Sequence, residues 1–122
     1  MQDVLVLEDN SLILDIIIKD IKAIPEISYA VLSNGDYFQE YLAANGPAKL
    51  NFLDDRVPYD YKGFDNHFIK HSTQIFEQNP NVKVFYIGNK PENEVHEYCN
   101  HHNISMIEKL EIQDIIKREF HK

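Results

Sequence analysis

Short apolar runs alternate with longer stretches whose polar residues recur on one helical stripe, and the alternation repeats five times along the chain. Val4 to Leu7 is apolar and ends in Glu8, Asp9 and Asn10; Ser11 then opens a segment whose Asp15, Lys19 and Lys22 fall on one stripe. This pattern predicts a buried strand feeding an amphipathic helix capped by Ser11. Asp15 and Lys19 have the favourable acid-before-base order at i,i+4, and Pro25 stops the helix. Residues 27–33 read as a second strand.

Asp36 with Gln39 three residues later resembles a capping box, Tyr37, Phe38, Tyr41 and Leu42 share one helical face, and Asn45-Gly46-Pro47 ends the helix. A third strand is predicted at Leu50 to Asp54. After a loop at 55–63, Asp65 caps a helix in which Phe64 and Ile69 form a hydrophobic staple and Phe68, Ile75 and Phe76 point inward, with Asn79-Pro80 as its stop. Val82 to Ile87 reads as the fourth strand. Asn89 with Glu92 caps a helix carrying Val95, Tyr98 and Cys99, Ile104 to Ile107 is the fifth strand, and Glu111 to Phe120 closes the chain as a helix. No repeat, low-complexity tract or linker interrupts the series, so residues 1–122 read as one domain of five βα units.

Such alternation predicts an α/β fold with a parallel sheet covered by helices on both faces, because parallel strands need crossover connections. The length suits one domain, and 43% hydrophobic with 26% charged residues is the mixture of an ordinary globular protein. Twelve Lys and Arg against twenty Asp and Glu leave a net charge of −8, which repels phosphate backbones and anionic membrane surfaces and argues against nucleic-acid binding. No apolar run approaches the roughly 20 residues that cross a bilayer. The N-terminus lacks the basic and apolar regions of a secretory signal, and the single cysteine, Cys99, forms no internal disulfide; both fit a cytoplasmic protein.

In open α/β sheets the ligand site lies outside the carboxyl ends of the strands, so those ends carry the candidate chemistry. Strand one ends in Glu8-Asp9, strand three in Asp54-Asp55, strand four in Gly88-Asn89 and strand five in Glu108-Lys109. The carboxylates of these strand ends and one ammonium are expected to converge. Crowded carboxylates oppose each other's ionisation unless a cation neutralises them, and oxygen-only ligands suit a hard ion such as magnesium. Taken singly, each acid is what an exposed strand end ordinarily carries; the combination is the signal.

With these residues in place the chain resembles the receiver domain of two-component response regulators, over essentially its full length. Val4-Leu5-Val6-Leu7-Glu8-Asp9-Asn10 looks like the strand-one motif with its acidic pair. Asp54 followed four residues later by Pro58 matches the phosphoacceptor pattern and selects Asp54 over Asp55, and Lys109 stands at the strand-five lysine, with Leu110 replacing the usual proline. The resemblance implies a (βα)5 flavodoxin-like fold, a doubly wound five-stranded parallel sheet in the order 2-1-3-4-5. It also implies phosphoryl transfer from a histidine kinase or phosphotransfer protein to Asp54, with Mg2+ held by Asp9, Asp54 and the Arg56 backbone carbonyl and Glu8 on a metal-bound water. Lys109 would clamp a phosphoryl oxygen; a salt bridge to the acids is the plainer reading of the same lysine, and the two are compatible. By the same resemblance, residues 90–122 would form the face for a downstream protein or a homodimer, and the output would be binding, not enzymatic turnover.

The pattern also breaks. The position of the family's Thr or Ser, whose hydroxyl binds the phosphoryl group, falls on Gly88, and the aromatic switch position of strand five falls on Met106. A hydrogen bond to a charged group is worth about 1.5–3 kcal/mol, roughly tenfold to more than a hundredfold. Asn89 stands where the family is usually small, and Arg56 and Lys90 flank the site mouth. Asp55 would oppose an incoming anion if it pointed inward, but strand alternation turns it outward. These departures leave a second reading open: a pseudo-receiver that works as a constitutive, phosphorylation-independent interaction module. A third, a magnesium-dependent enzyme acting on a small phosphoester, fits the acids but has no recognisable substrate motif.

Other constellations carry less. His67 and His71 have i,i+4 spacing but no evident third metal ligand; in the denser group His96, Cys99, His101 and His102, Cys99 belongs to a core face and the histidines suit a helix C-terminus. Glycines at 35, 46, 63 and 88 form no phosphate-binding loop, and no Gly-x-Ser-x-Gly elbow occurs.

Overall fold

A computed structural model describes residues 1–54, 57–59, 63–65, 75–88 and 93–120. Five strands, β1 (Val4–Leu7), β2 (Tyr29–Leu32), β3 (Leu50–Leu53), β6 (Lys83–Tyr86) and β7 (Ser105–Met106), form one sheet in the order β2-β1-β3-β6-β7. Every pairing is parallel, with Leu7 level with Leu32 and Leu53, Leu53 with Tyr86, and Tyr86 with Met106. This is the expected doubly wound α/β architecture. The helices among the described residues are α1 (Ser11–Lys22), α2 (Gly35–Asn45), α3 (Asn93–His101) and α4 (Ile112–Phe120), with a further helical turn at residues 75–77.

Strand alternation splits the interior into two cores. Leu5, Leu7, Leu53 and Tyr86 face α2 and α3 and pack with Phe38, Leu42, Val95 and Cys99. Val4, Val6, Phe52, Phe85 and Ile87 face α1 and α4 and pack with Ile17, Ile21, Ile112 and Ile116. Burial on both sides explains why β1 and β3 are completely buried, as parallel strands under helices must be. Asn51 is a buried polar residue in β3; its Oδ1 accepts from the Ala48 N–H at 2.9 Å, and its Nδ2 donates to the Ala48 and Lys83 carbonyls.

Three local expectations are corrected. Asn10, not Ser11, caps α1: its extended backbone lets Oδ1 accept from the Leu12 and Ile13 N–H groups. Asn34, not Asp36, caps α2, accepting from the Tyr37 N–H at 2.9 Å, which leaves Asp36 in the first turn and turns Tyr37 out to solvent. Third, the region read as a loop running into an Asp65-capped helix carries β4 (Val57–Tyr59) and β5 (Gly63–Asp65), an antiparallel pair separate from the main sheet. Val57, Tyr59 and Phe64 have the β-branched and aromatic character that favours strands, and a two-stranded ribbon has only edges, so Pro58 costs no central ladder bond. Phe68 and Ile69 of the expected helix, His67 and His71 lie outside the described residues, while Ile75 and Phe76 are helical and pack inward as expected.

Candidate functional site

The carboxyl ends of the strands are locked by backbone bonds that carry the ladder one residue past each pairing. Glu8 donates to the Leu32 carbonyl at 3.1 Å, Asp54 to Leu7 at 2.9 Å, Ile87 to Leu53 at 3.0 Å and Ile107 to Tyr86 at 3.0 Å. Glu8 and Asp54 therefore start from rigid backbone on adjacent central strands. Glu8 and Asp54 are buried and Asp9 is half-buried, and carboxylate oxygens of the three lie within 4.8 Å of one another. No other group of three or more His, Cys, Asp or Glu side chains converges in this way among the described residues, the His96–His102 cluster included. His102 instead faces Glu77 at 2.7 Å, and its ring packs at a tilt against Tyr98.

Lys109 reaches the acids from a short 3-10 turn after β7, Lys109–Glu111. Its ammonium is 2.7 Å from Glu8 Oε2 and 3.7 Å from Asp54 Oδ2. Glu8 Oε1 is held from its own chain by the Asn10 N–H at 3.1 Å. Glu8 Oε2 is in contact with the ammonium yet lacks a properly aligned hydrogen bond, so this buried oxygen keeps accepting capacity. Burial pushes the Glu8 carboxyl above the ordinary range, with the Lys109 ammonium opposing and the Asp54 carboxylate adding to the rise. Burial and then the Asp54 charge raise Asp9 as well. Three carboxylates against one ammonium is an electrostatic arrangement that a further cation would relieve.

The donor set is oxygen only and partly desolvated, which fits a hard divalent cation such as magnesium, and the underused Glu8 Oε2 is an atom that a cation or its hydration water would satisfy. Arg56, whose carbonyl was expected as a ligand, lies outside the described residues, as do Asp55, Asn89 and Lys90. Glu108 is exposed and stays out of the cluster, and Leu110 projects into solvent.

Gly88 is at the end of β6, and its backbone does not need glycine for conformation, since Gly46 alone has a positive φ among the described glycines. It needs glycine for space. A Cβ built there would overlap the hydroxyl oxygen and Cζ of Tyr86 and lie 2.7 Å from Cε1. Sequence reasoning passed over Tyr86, although an aromatic two residues before a strand-end glycine is a same-face pair and was the available signal. Met106 is half-buried in register with Tyr86 and packs against the core under α2 and α3.

Comparison with solved structures finds this arrangement of strands and helices elsewhere. The CheY-like response regulator receiver domain protein of Methanospirillum hungatei superposes with a TM-score of 0.73 at 12% identity, over 98% of this chain and 93% of that one. The non-phosphorylated receiver domain of the stress response regulator RcsB from Escherichia coli gives 0.71 at 15% identity, over 96% and 88%. This chain has the receiver-domain fold. The receiver fold also matches the RcsB response regulator of Salmonella typhimurium, with a TM-score of 0.70 at 14% identity, covering 96% of this chain. This chain spans 56% of that protein's length. No protein-family model matches the sequence, and no curated protein matches it. Low identity within one receiver fold means that the strand ends, and not overall sequence, carry the functional argument.

Proposed function

We propose that the chain is an atypical receiver that accepts a phosphoryl group on Asp54 with Mg2+ and signals by binding another protein. The observation that carries this reading is the grouping of buried Asp54 with Glu8 and Asp9, faced by the Lys109 ammonium at 3.7 Å. The donor would be the phosphohistidine of a histidine kinase or phosphotransfer protein. An Asp54 oxygen forms a bond to phosphorus as the P–N bond breaks, and the imidazole leaves with the bonding pair and takes a proton from solvent. Lys109 supplies a fixed positive charge to the phosphoryl oxygens, and Glu8 holds Lys109 in place. Asp9, Asp54 and the Arg56 carbonyl would hold Mg2+ directly, with Glu8 on its water. When bound, the metal neutralises the acids and the developing phosphoryl charge. The protein is then a phosphoacceptor rather than a turnover enzyme.

The output surface in this reading is the 90–122 region, which contains α3, β7 and α4. The net charge of −8 favours a protein partner or a second copy over nucleic acid. One observation favours the alternative of a constitutive interaction module: Met106, at the aromatic switch position, is half-buried against the core and carries no hydroxyl.

Titration of the 15N-labelled protein with Mg2+ and then beryllofluoride tests the reading. The expected result is Mg2+-dependent movement of the Glu8, Asp9 and Asp54 amides, then beryllofluoride shifts that spread into residues 93–120 and vanish in D54N. Binding without spread supports the constitutive module, and a spectrum unchanged by both ligands overturns phosphoacceptance.

A further inference from the structure

The ring of Tyr86 lies over Gly88, and its hydroxyl oxygen fills the volume that a β-carbon on residue 88 would occupy. Two features relate that hydroxyl to the acidic cluster. Tyr86 is level with Leu53, the residue before Asp54, and the Ile87 N–H donates to the Leu53 carbonyl, so Gly88 is one step beyond the point where β6 runs beside Asp54. Side chains at i and i+2 of a strand share a face, so the phenol follows the strand toward its carboxyl end, where Glu8, Asp9 and Asp54 gather. The ring itself is buried among Leu7, Phe38 and Leu53.

From this geometry we propose that the Tyr86 hydroxyl is the hydrogen-bond donor that the site offers to a phosphoryl group on Asp54, with Gly88 kept bare to let it through. A phenol is neutral at pH 7, so it donates without adding negative charge beside three carboxylates. Tyr86 and Gly88 then act as one unit: the donor comes from two residues earlier in the strand, and any side chain at 88 would expel it. This inference rests on phosphoacceptance at Asp54.

The test compares wild type, Y86F and the double variant Y86V/G88T, the last moving the hydroxyl onto residue 88. Mg2+ affinity and then Mg2+-dependent beryllofluoride affinity are read from amide shifts, and the Tyr86 Cζ resonance is followed in 13C-tyrosine protein. The expected result is a folded Y86F with wild-type Mg2+ affinity and beryllofluoride affinity reduced about tenfold or more. Y86V/G88T regains most of that affinity, and the Tyr86 Cζ resonance of wild type moves when beryllofluoride binds. Equal beryllofluoride affinity in wild type and Y86F overturns the role of Tyr86 while leaving phosphoacceptance intact. Parallel loss of Mg2+ and beryllofluoride affinity in Y86F also overturns it, because packing and not the hydroxyl is then at stake. Absence of beryllofluoride binding in wild type overturns both.

Discussion

The Lys109 ammonium is shared unequally, 2.7 Å from Glu8 and 3.7 Å from Asp54. Glu8 is the more deeply buried acid, so Lys109 compensates the charge that has least access to water and remains within reach of Asp54. Removing one member of a buried pair leaves the other uncompensated. K109M should therefore lose about 3 kcal/mol of stability near neutral pH. The double variant E8Q/K109M should regain most of it. Urea melts of wild type, E8Q, K109M and E8Q/K109M measure this coupling directly, and simple additivity would contradict it.

Asn51 answers three backbone groups with one amide from a buried position. In N51L the Ala48 N–H and carbonyl lose their partner inside the core, and each buried group left unpaired costs about 1–3 kcal/mol. The expected loss is about 3 kcal/mol, seen as a lower urea midpoint with an unchanged m-value.

Asp3 gives a pH dependence of defined sign. Burial pushes its carboxyl up, but hydrogen bonds from the Ser28 backbone N–H, Lys49 and the Ser28 hydroxyl outweigh this and hold it below the ordinary carboxylate value. A carboxyl lowered on folding stabilises the protein above its unfolded pKa of about 3.9, and that contribution is lost as pH falls through the folded value. Wild type should lose stability more steeply than D3N below about pH 4, with equal slopes at pH 6 and above as far as this residue is concerned. Chemical denaturation across that range reads the difference.

Cys99 is completely buried in the core under α3. Its thiol should resist a disulfide reagent in the native state and react at a rate set by opening of this core, rising sharply in urea as the protein unfolds. Reaction in the native state as fast as in the unfolded chain would contradict the packing described.

The sequence alone determined the five-fold alternation of strand and helix, the burial of β1 and β3, and the placement of Glu8, Asp9, Asp54 and Lys109 at strand ends, because each rests on residues adjacent in the chain. Periodicity also identified the buried faces of α2 and α3 through Phe38, Leu42, Val95 and Cys99. The helix caps were misread by one or two residues because Ser11 and Asp36 are as capable of capping as Asn10 and Asn34, and only the backbone at the helix entry decides. Pairing of β4 with β5 was hidden because three-residue strands leave too little periodicity to read. Tertiary structure alone decided the unequal sharing of Lys109, the underused oxygen of Glu8 and the threading of Tyr86 over Gly88. The first two depend on distances between residues more than forty positions apart. The third depends on a rotamer, and a same-face pair in a strand says that two side chains can meet without saying which way the larger one leans.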